Sequence, residues 1–242
     1  MIPKKIHYCW FGRNPLSKQA KKCIQSWKRY CPEYEIVEWN EVNFNINCCR
    51  YVREAYDAKK WAFVSDYARF LILYEQGGVY LDVDVELVQS LDELLMLGAF
   101  MGCEDNGIVA PGLGLAVEPG HRLYKELLDG YMDRSFYMAD ETMDLTTVVT
   151  YTTEILKKYG LKEVEDMQQI EGIFIYPKEF FCPKNPVTRE IHITDKTVAI
   201  HHYDGSWLAK DRRFVQRVTD LFGYKVTKVL IRIKHFLRGG NR

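Results

Sequence analysis

Apolar positions fall into short runs whose period changes along the chain. Lys4 to Trp10 alternates and stops at Phe11-Gly12-Arg13-Asn14-Pro15, which predicts a first strand closed by a turn cluster. Ser17 is placed to cap a helix reaching about Tyr30, with Ala20, Ile24 and Trp27 on one face. Tyr34 to Trp39 alternates again, so the chain opens strand–helix–strand, as a Rossmann-like sheet does. Asn47 to Asp57 reads as a polar helix. Trp61 to Gln76 is the clearest helix, with Ala62, Ala68, Phe70, Leu71, Ile72 and Leu73 apolar and Gly77-Gly78 as its stop. Val79 to Leu87 then reads as a strand, Leu91 to Leu97 as a short helix and Phe100 to Cys103 as a further strand. His121 to Met132 and Thr146 to Tyr159 follow as helices, and Ile173 to Tyr176 and Thr197 to His201 as short strands. Alternating strands and helices predict an α/β fold with a mostly parallel sheet flanked by helices. There is no internal repeat and no low-complexity linker.

Composition changes this picture little. The 242 residues suffice for one well-buried domain, and 47% hydrophobic with 27% charged residues is ordinary globular usage. Net charge is zero but unevenly spread: Ala209 to Arg242 holds ten Lys or Arg against Asp211 and Asp220, a net +8 that leaves −8 elsewhere. Within it, Val226, Val229, Leu230, Ile233 and Leu237 keep helical spacing among Lys225, Lys228, Arg232 and Lys234. Such a basic amphipathic helix either lies on an anionic membrane surface or packs on its own domain. The expected division is a domain over 1–215 and a tail over 216–242. Seven Cys without a Cys-x-x-Cys pair, no signal-peptide run and no apolar stretch near the roughly 18 residues that span a bilayer predict a cytosolic protein. A membrane-bound fraction would be peripheral, on the inner face of the plasma membrane. No nucleic-acid partner is expected.

The strongest chemical signal is Gly77-Gly78-Val79-Tyr80-Leu81-Asp82-Val83-Asp84-Val85-Glu86. On a regular strand, Tyr80, Asp82, Asp84 and Glu86 share one face, with successive carboxylates about 6.6–6.8 Å apart. Like charges on one face repel unless something offsets them; a hard divalent cation such as Mg²⁺ or Mn²⁺ does so, and so does a ribose hydroxyl. The other reading is an amphipathic edge strand with a solvated acidic face. One helix upstream, Asp66 and Arg69 are spaced i, i+3. They make either a surface ion pair or a pair at a pocket rim, with Arg69 orienting Asp66 or meeting a phosphate. Trp10 ends the first strand, where open α/β sheets bind ligands, and an aromatic there either stacks a nucleobase or packs in the core. Near the other end, His201-His202-Tyr203-Asp204-Gly205-Ser206-Trp207 gathers two imidazoles, a hydroxyl and an indole N–H. The set suits a metal or a diphosphate, or two structural histidines in a turn.

These four segments, with Ile2-Pro3-Lys4-Lys5-Ile6-His7-Tyr8-Cys9-Trp10-Phe11-Gly12 as the first and Ser65-Asp66-Tyr67-Ala68-Arg69 as the second, resemble in order and spacing the DXD-containing sugar transferases of glycosyltransferase family 32. That family includes bacterial capsule and lipopolysaccharide enzymes and fungal Golgi mannosyltransferases, and is similar to the catalytic domains of clostridial glucosylating toxins. The resemblance covers residues 2–208. It implies a GT-A fold, a Mn²⁺ or Mg²⁺ ion, a nucleotide-diphosphate sugar donor and a retaining hexosyl transfer to a saccharide or lipid-linked oligosaccharide. UDP-galactose or UDP-glucose is the expected donor, and surface polysaccharide or lipopolysaccharide synthesis the expected setting. Carried over, Trp10 would stack the base beside Gly12, and Asp66 and Arg69 would hold the donor sugar. Tyr80 and Asp82 would meet the ribose and sugar, and Asp84 would ligate the metal. Ser206 would complete the metal or phosphate site, Trp207 would meet the diphosphate, and His202 or His201 would add a ligand.

Two other readings compete. Asp82-Val83-Asp84-Val85 also fits the nucleophile motif of haloacid-dehalogenase-type, Mg²⁺-dependent phosphohydrolases, with Asp129 and Asp133 at the spacing of a second acidic pair inside a predicted helix. A non-enzymatic carbohydrate- or metal-binding module would use the same carboxylates without turnover.

Overall fold

The computed structural model describes residues 1–185, 187–203 and 219. Its elements run β1 (Lys5–Cys9), α1 (Lys18–Tyr30), β2 (Glu35–Trp39), α2 (Arg50–Asp57), α3 (Trp61–Gln76), β3 (Gly78–Tyr80), β4 (Val85–Leu87), α4 (Asp92–Leu97), β5 (Phe100–Asp105), β6 (Ile108–Val109), β7 (Leu115–Val117), α5 (Arg122–Met132), α6 (Val148–Lys158), β8 (Gln168–Ile170), β9 (Ile173–Tyr176), α7 (Lys178–Phe181) and β10 (Ala199–His201).

Local chemistry sets the boundaries. Ser17 Oγ accepts from the Ala20 amide at 3.0 Å and starts α1, which buries Ala20, Cys23, Ile24 and Trp27. Gly77 ends α3 at φ +64, a conformation that costs a side chain-bearing residue free energy. α3 is apolar nearly all round because it packs on β1, β3, β7, α2 and α5. Trp27, Tyr51, Phe70, Phe100 and Tyr124 are fully buried in the one core that results.

The main sheet has the order β2-β1-β3-β7-β5-β9-β8, with β6 added to β5. The α/β class expected from the sequence is present, and the sheet is mixed. β1 runs parallel to β2 and β3, and β5 parallel to β9, while β7 lies antiparallel between β3 and β5. β4 leaves this sheet and pairs antiparallel with β10, His201 opposite Val85.

That departure corrects the sequence reading of 79–87 as one strand. The chain breaks after Tyr80, the Val85 amide donates to the Asp82 carbonyl at 3.0 Å, and Asp82 to Asp84 form a turn between two sheets. Tyr80, Asp82, Asp84 and Glu86 therefore do not share one strand face. α2 also starts three residues later than the polar pattern from Asn47 suggests, after a turn held by Asn45 Oδ1 accepting from the Asn47 amide.

Candidate active site

Two adjacent parallel strands, β1 and β3, end side by side, His7 opposite Tyr80. Trp10 follows the first and Asp82 the second, so both stand at the carboxyl edge of the sheet, where open α/β sheets hold ligands. The Leu81 amide donates to the His7 carbonyl at 3.1 Å and the Asp82 amide to the Gly112 carbonyl at 3.0 Å. The backbone entering the turn is thus pinned on one side by β1 and on the other by the segment that leads into β7.

α3 delivers Asp66 and Arg69 from beneath. Neither is on the surface: they are 8% and 3% exposed. Arg69 Nη2 donates to Asp66 Oδ1 at 2.9 Å and lies 3.4 Å from Asp82 Oδ1, Nε donates to the Ser65 carbonyl at 3.1 Å, and the guanidinium sits 4.9 Å over the Tyr80 ring. Tyr80 Oη also donates to Asp82 Oδ1, at 3.1 Å. One guanidinium therefore serves two carboxylates, and compensates neither fully. Burial pushes the Asp66 carboxyl up to about 7 against the pull of Arg69. Burial raises Asp82 as well, with Arg69 opposing and Asp84 adding to the rise.

On the far side of the turn stand the two histidines. His201 Nε2 lies 3.4 Å from Asp84 Oδ2, and its ring meets Tyr203 at 4.2 Å between centroids. Tyr203 Oη is 2.7 Å from the buried Cys182 Sγ. Burial works against a charge on His201, but Asp84 and Cys182 outweigh it and lift the imidazole to about 10. His202 points elsewhere: its Nε2 is 2.7 Å from Glu86 Oε2, which also accepts from Lys22 Nζ at 3.0 Å. Burial lowers His202, while Lys22 and His202 outweigh desolvation and lower Glu86. Of the two histidines weighed as metal ligands, His201 is the one brought to Asp84, and the His202 ring is taken by Glu86.

Trp10 is partly exposed, its Nε1 donating to the Asn14 carbonyl at 2.6 Å. Gly12 has φ +93 and donates its amide to Glu41 Oε1 at 2.7 Å; a Cβ there would stand 2.5 Å from Trp61 Nε1. Ser206 and Trp207 lie outside the described residues, as does the basic segment 224–238. Sequence reasoning missed Gly112, Cys182 and Glu104. Glu104 is raised by burial and opposed by His201. The spaced glycines of Ala110-Pro111-Gly112-Leu113-Gly114 were a signal of close backbone approach.

Among the described residues, no three His, Cys, Asp or Glu side chains converge on one metal position. Mg²⁺ and Mn²⁺ commonly take one or two protein carboxylates and fill the remaining positions with water and phosphate oxygens. The turn offers two carboxylates for that pattern, Asp82 and Asp84, which repel each other.

Residues 17–100, which include Asp66, Arg69, Tyr80, Asp82 and Asp84, match the family described as the glycosyltransferase sugar-binding region containing a DXD motif. Over this segment the chain is similar to the DXD-containing glycosyltransferases. Inositol phosphoceramide mannosyltransferase 3 of Schizosaccharomyces pombe is 33% identical over 107 residues, 41% of this chain and 29% of that protein. Inositol phosphoceramide mannosyltransferase 1 of the same organism is 28% identical over 109 residues, 41% of this chain and 33% of that protein. The chain spans about a third of the length of these curated relatives. Among solved structures, the PaToxG glycosyltransferase superposes with a TM-score of 0.49 at 18% identity, covering 65% of this chain and 69% of its own. The galactosyltransferase LgtC, in complex with donor and acceptor sugar analogues, superposes at 0.44 and 16%, covering 90% and 94%. The phosphohydrolase reading loses its second acidic pair, since Asp129 is exposed on α5 and ion-paired with Lys125.

Proposed function

We propose that this glycosyltransferase moves a hexose from a nucleotide-diphosphate sugar to a saccharide or lipid-linked oligosaccharide, with a divalent cation, Mn²⁺ or Mg²⁺, held at Asp84. The observation that carries the reading is the buried relay Asp66–Arg69–Asp82–Tyr80 ending at an acidic turn on the carboxyl edge of the sheet.

Arg69 is committed to Ser65, Asp66 and Asp82, so it orients carboxylates and does not reach out to a phosphate. Tyr80 and Arg69 both hold Oδ1 of Asp82. That leaves Oδ2 to accept from a ribose or sugar hydroxyl. Asp84, with His201 beside it, would hold the metal, with His202 standing behind on Glu86 and Ser206 completing the metal or phosphate site. A bound divalent ion supplies Lewis-acid help to the leaving diphosphate. Protonated His201 places a second positive charge at the same carboxylate. Trp10 would stack the base beside Gly12, and Trp207 would donate to the diphosphate. Asp66 and Asp82 are both held in the relay, and we favour retention by attack from the face the nucleotide leaves over a covalent intermediate.

UDP-glucose and UDP-galactose are the preferred donors. The fungal relatives are named for mannose transfer, which brings GDP-mannose into the test set. We place the reaction in surface polysaccharide or lipopolysaccharide synthesis at the cytoplasmic face of the membrane, reached through the basic segment 224–238. No helix among the described residues is long and apolar enough to cross a membrane. Thermal-shift titration of the full chain with these nucleotide sugars, with and without Mn²⁺, tests the reading. The expected result is a donor-induced rise that Mn²⁺ enlarges in the wild type and not in Asp84→Ala. No rise with any nucleotide sugar, or a Mn²⁺ response unchanged by Asp84→Ala, overturns it.

A further inference from the structure

Gly112 lies between β6 and β7, in a segment absent from every motif that carries the family resemblance. Its backbone passes directly over the DXD turn. A Cβ built on Gly112 would stand 2.0 Å from Asp82 Oδ2, 2.9 Å from Asp82 Cγ and 3.4 Å from Arg69 Nη1. Gly112 is buried and its φ lies outside the left-handed region, so its backbone conformation does not itself call for glycine. Space alone demands glycine here.

The obstructing oxygen cannot swing aside freely. The Asp82 amide is bonded to the Gly112 carbonyl at 3.0 Å, which fixes the two backbones against each other. Asp82 Oδ1 is held by Tyr80 Oη at 3.1 Å and lies 3.4 Å from Arg69. Turning the carboxylate to admit a methyl group breaks those contacts, and the buried Arg69 then loses one of its two acidic partners. The Tyr80–Leu115 pairing of β3 with β7 holds the two segments in register, so the backbone has no easy retreat.

We infer that Gly112 is a positioning residue: its bare backbone forms the wall that presses Asp82 into the rotamer in which Oδ1 faces Tyr80 and Arg69 and Oδ2 is left for a donor hydroxyl. This rests on the donor-binding reading of Asp82 for its functional consequence, but the steric coupling stands without it.

The test is a double-mutant cycle of Gly112→Ala with Asp82→Ala in the full chain, read by melting temperature and by UDP-sugar affinity in Mn²⁺. In the wild-type background, Gly112→Ala lowers the melting temperature by about 3 °C or more and weakens the donor about tenfold. In the Asp82→Ala background, where no carboxylate opposes the methyl group, the same substitution changes melting temperature and affinity by less than the experimental spread. If Gly112→Ala alone fails to fold, the double variant still folds like Asp82→Ala. Equal losses in both backgrounds, or a double variant that does not fold, overturn the inference. Asp82→Ala binding the donor as the wild type does overturns the donor reading instead, and leaves the melting-temperature cycle to judge Gly112.

Discussion

Replacing Asp66 by Asn removes a charge and keeps the shape. Asp66 is buried, and burial lifts its carboxyl from 3.8 to about 7 on folding, against the pull of Arg69, which it shares with Asp82, and of the Val148 amide and Arg134. A raised carboxyl means that the native state binds more protons than the unfolded chain between those two values, so stability falls as pH rises through that window. Three units at about 1.36 kcal/mol each make the ionised Asp66 cost about 4 kcal/mol at pH 8 relative to pH 4. His7, which burial lowers to about 4, acts in the opposite sense: its contribution is lost as pH falls from 6.5. His7 is present in both proteins, and the difference between variant and wild type cancels it. Asp66→Asn is therefore expected to match the wild type near pH 4, and to gain on it with rising pH until the gap reaches about 4 kcal/mol near pH 8, or about 8–16 °C in melting temperature. Urea unfolding of both proteins at half-unit steps from pH 4.5 to 8.5, at fixed ionic strength, measures the gap. A gap that stays constant with pH, or that closes as pH rises, refutes the claim that burial outweighs the groups compensating Asp66.

Other expectations follow from the same geometry. His201→Gln should cost stability most below pH 6.5, and the cost should fade toward pH 10, because the folded imidazole is raised; His202→Gln, whose folded imidazole is lowered, should show no such fading in matched melts. The Mn²⁺-dependent donor shift should shrink more in His201→Gln than in His202→Gln, since of the two imidazoles it is the His201 ring that lies against the Asp84 carboxylate; equal losses would point to the Glu86 side of the turn. Mn²⁺ affinity should rise with pH across the range where Asp66 ionises, because a cation at the turn frees Arg69 for Asp66, and this rise should weaken in Asp66→Asn when followed by calorimetry.

Much of the framework was legible because local signals agreed with the global fold. Ser17 announced α1 through a side-chain cap, Gly77 announced the end of α3, and the apolar saturation of Trp61–Gln76 announced a helix buried on several sides. β7 was not legible. Its strand is three residues long and emerges from Ala110-Pro111-Gly112-Leu113-Gly114, which reads as loop, and its antiparallel direction is set by pairing with distant β3 and β5. The break at the acidic turn was hidden for a different reason. Val79, Leu81, Val83 and Val85 alternate faultlessly with polar residues, and that pattern is blind to a second sheet. Only the remote strand β10 tells β4 to leave the first one. His201 could not be separated from His202 for the same cause, since the register of β10 on β4 decides which imidazole meets Asp84.

The turn explains why an acidic motif survives in a buried place. On a continuous strand, Asp82 and Asp84 would share one face and one environment. Here the break assigns them different counter-charges: Asp82 faces Arg69 on α3, and Asp84 faces His201 on β10. The Asp82 pairing is shared, because Arg69 is divided between two acids. A fully neutralised pair would be a structural salt bridge with no reason to bind anything more. A carboxylate such as Asp82, which shares its guanidinium with Asp66 and is held by neighbours that cannot move closer, keeps an attraction for added positive charge and for hydroxyl donors. The rigidity that Gly112, Tyr80 and Arg69 impose on Asp82 is what prevents the protein from relaxing that deficit internally.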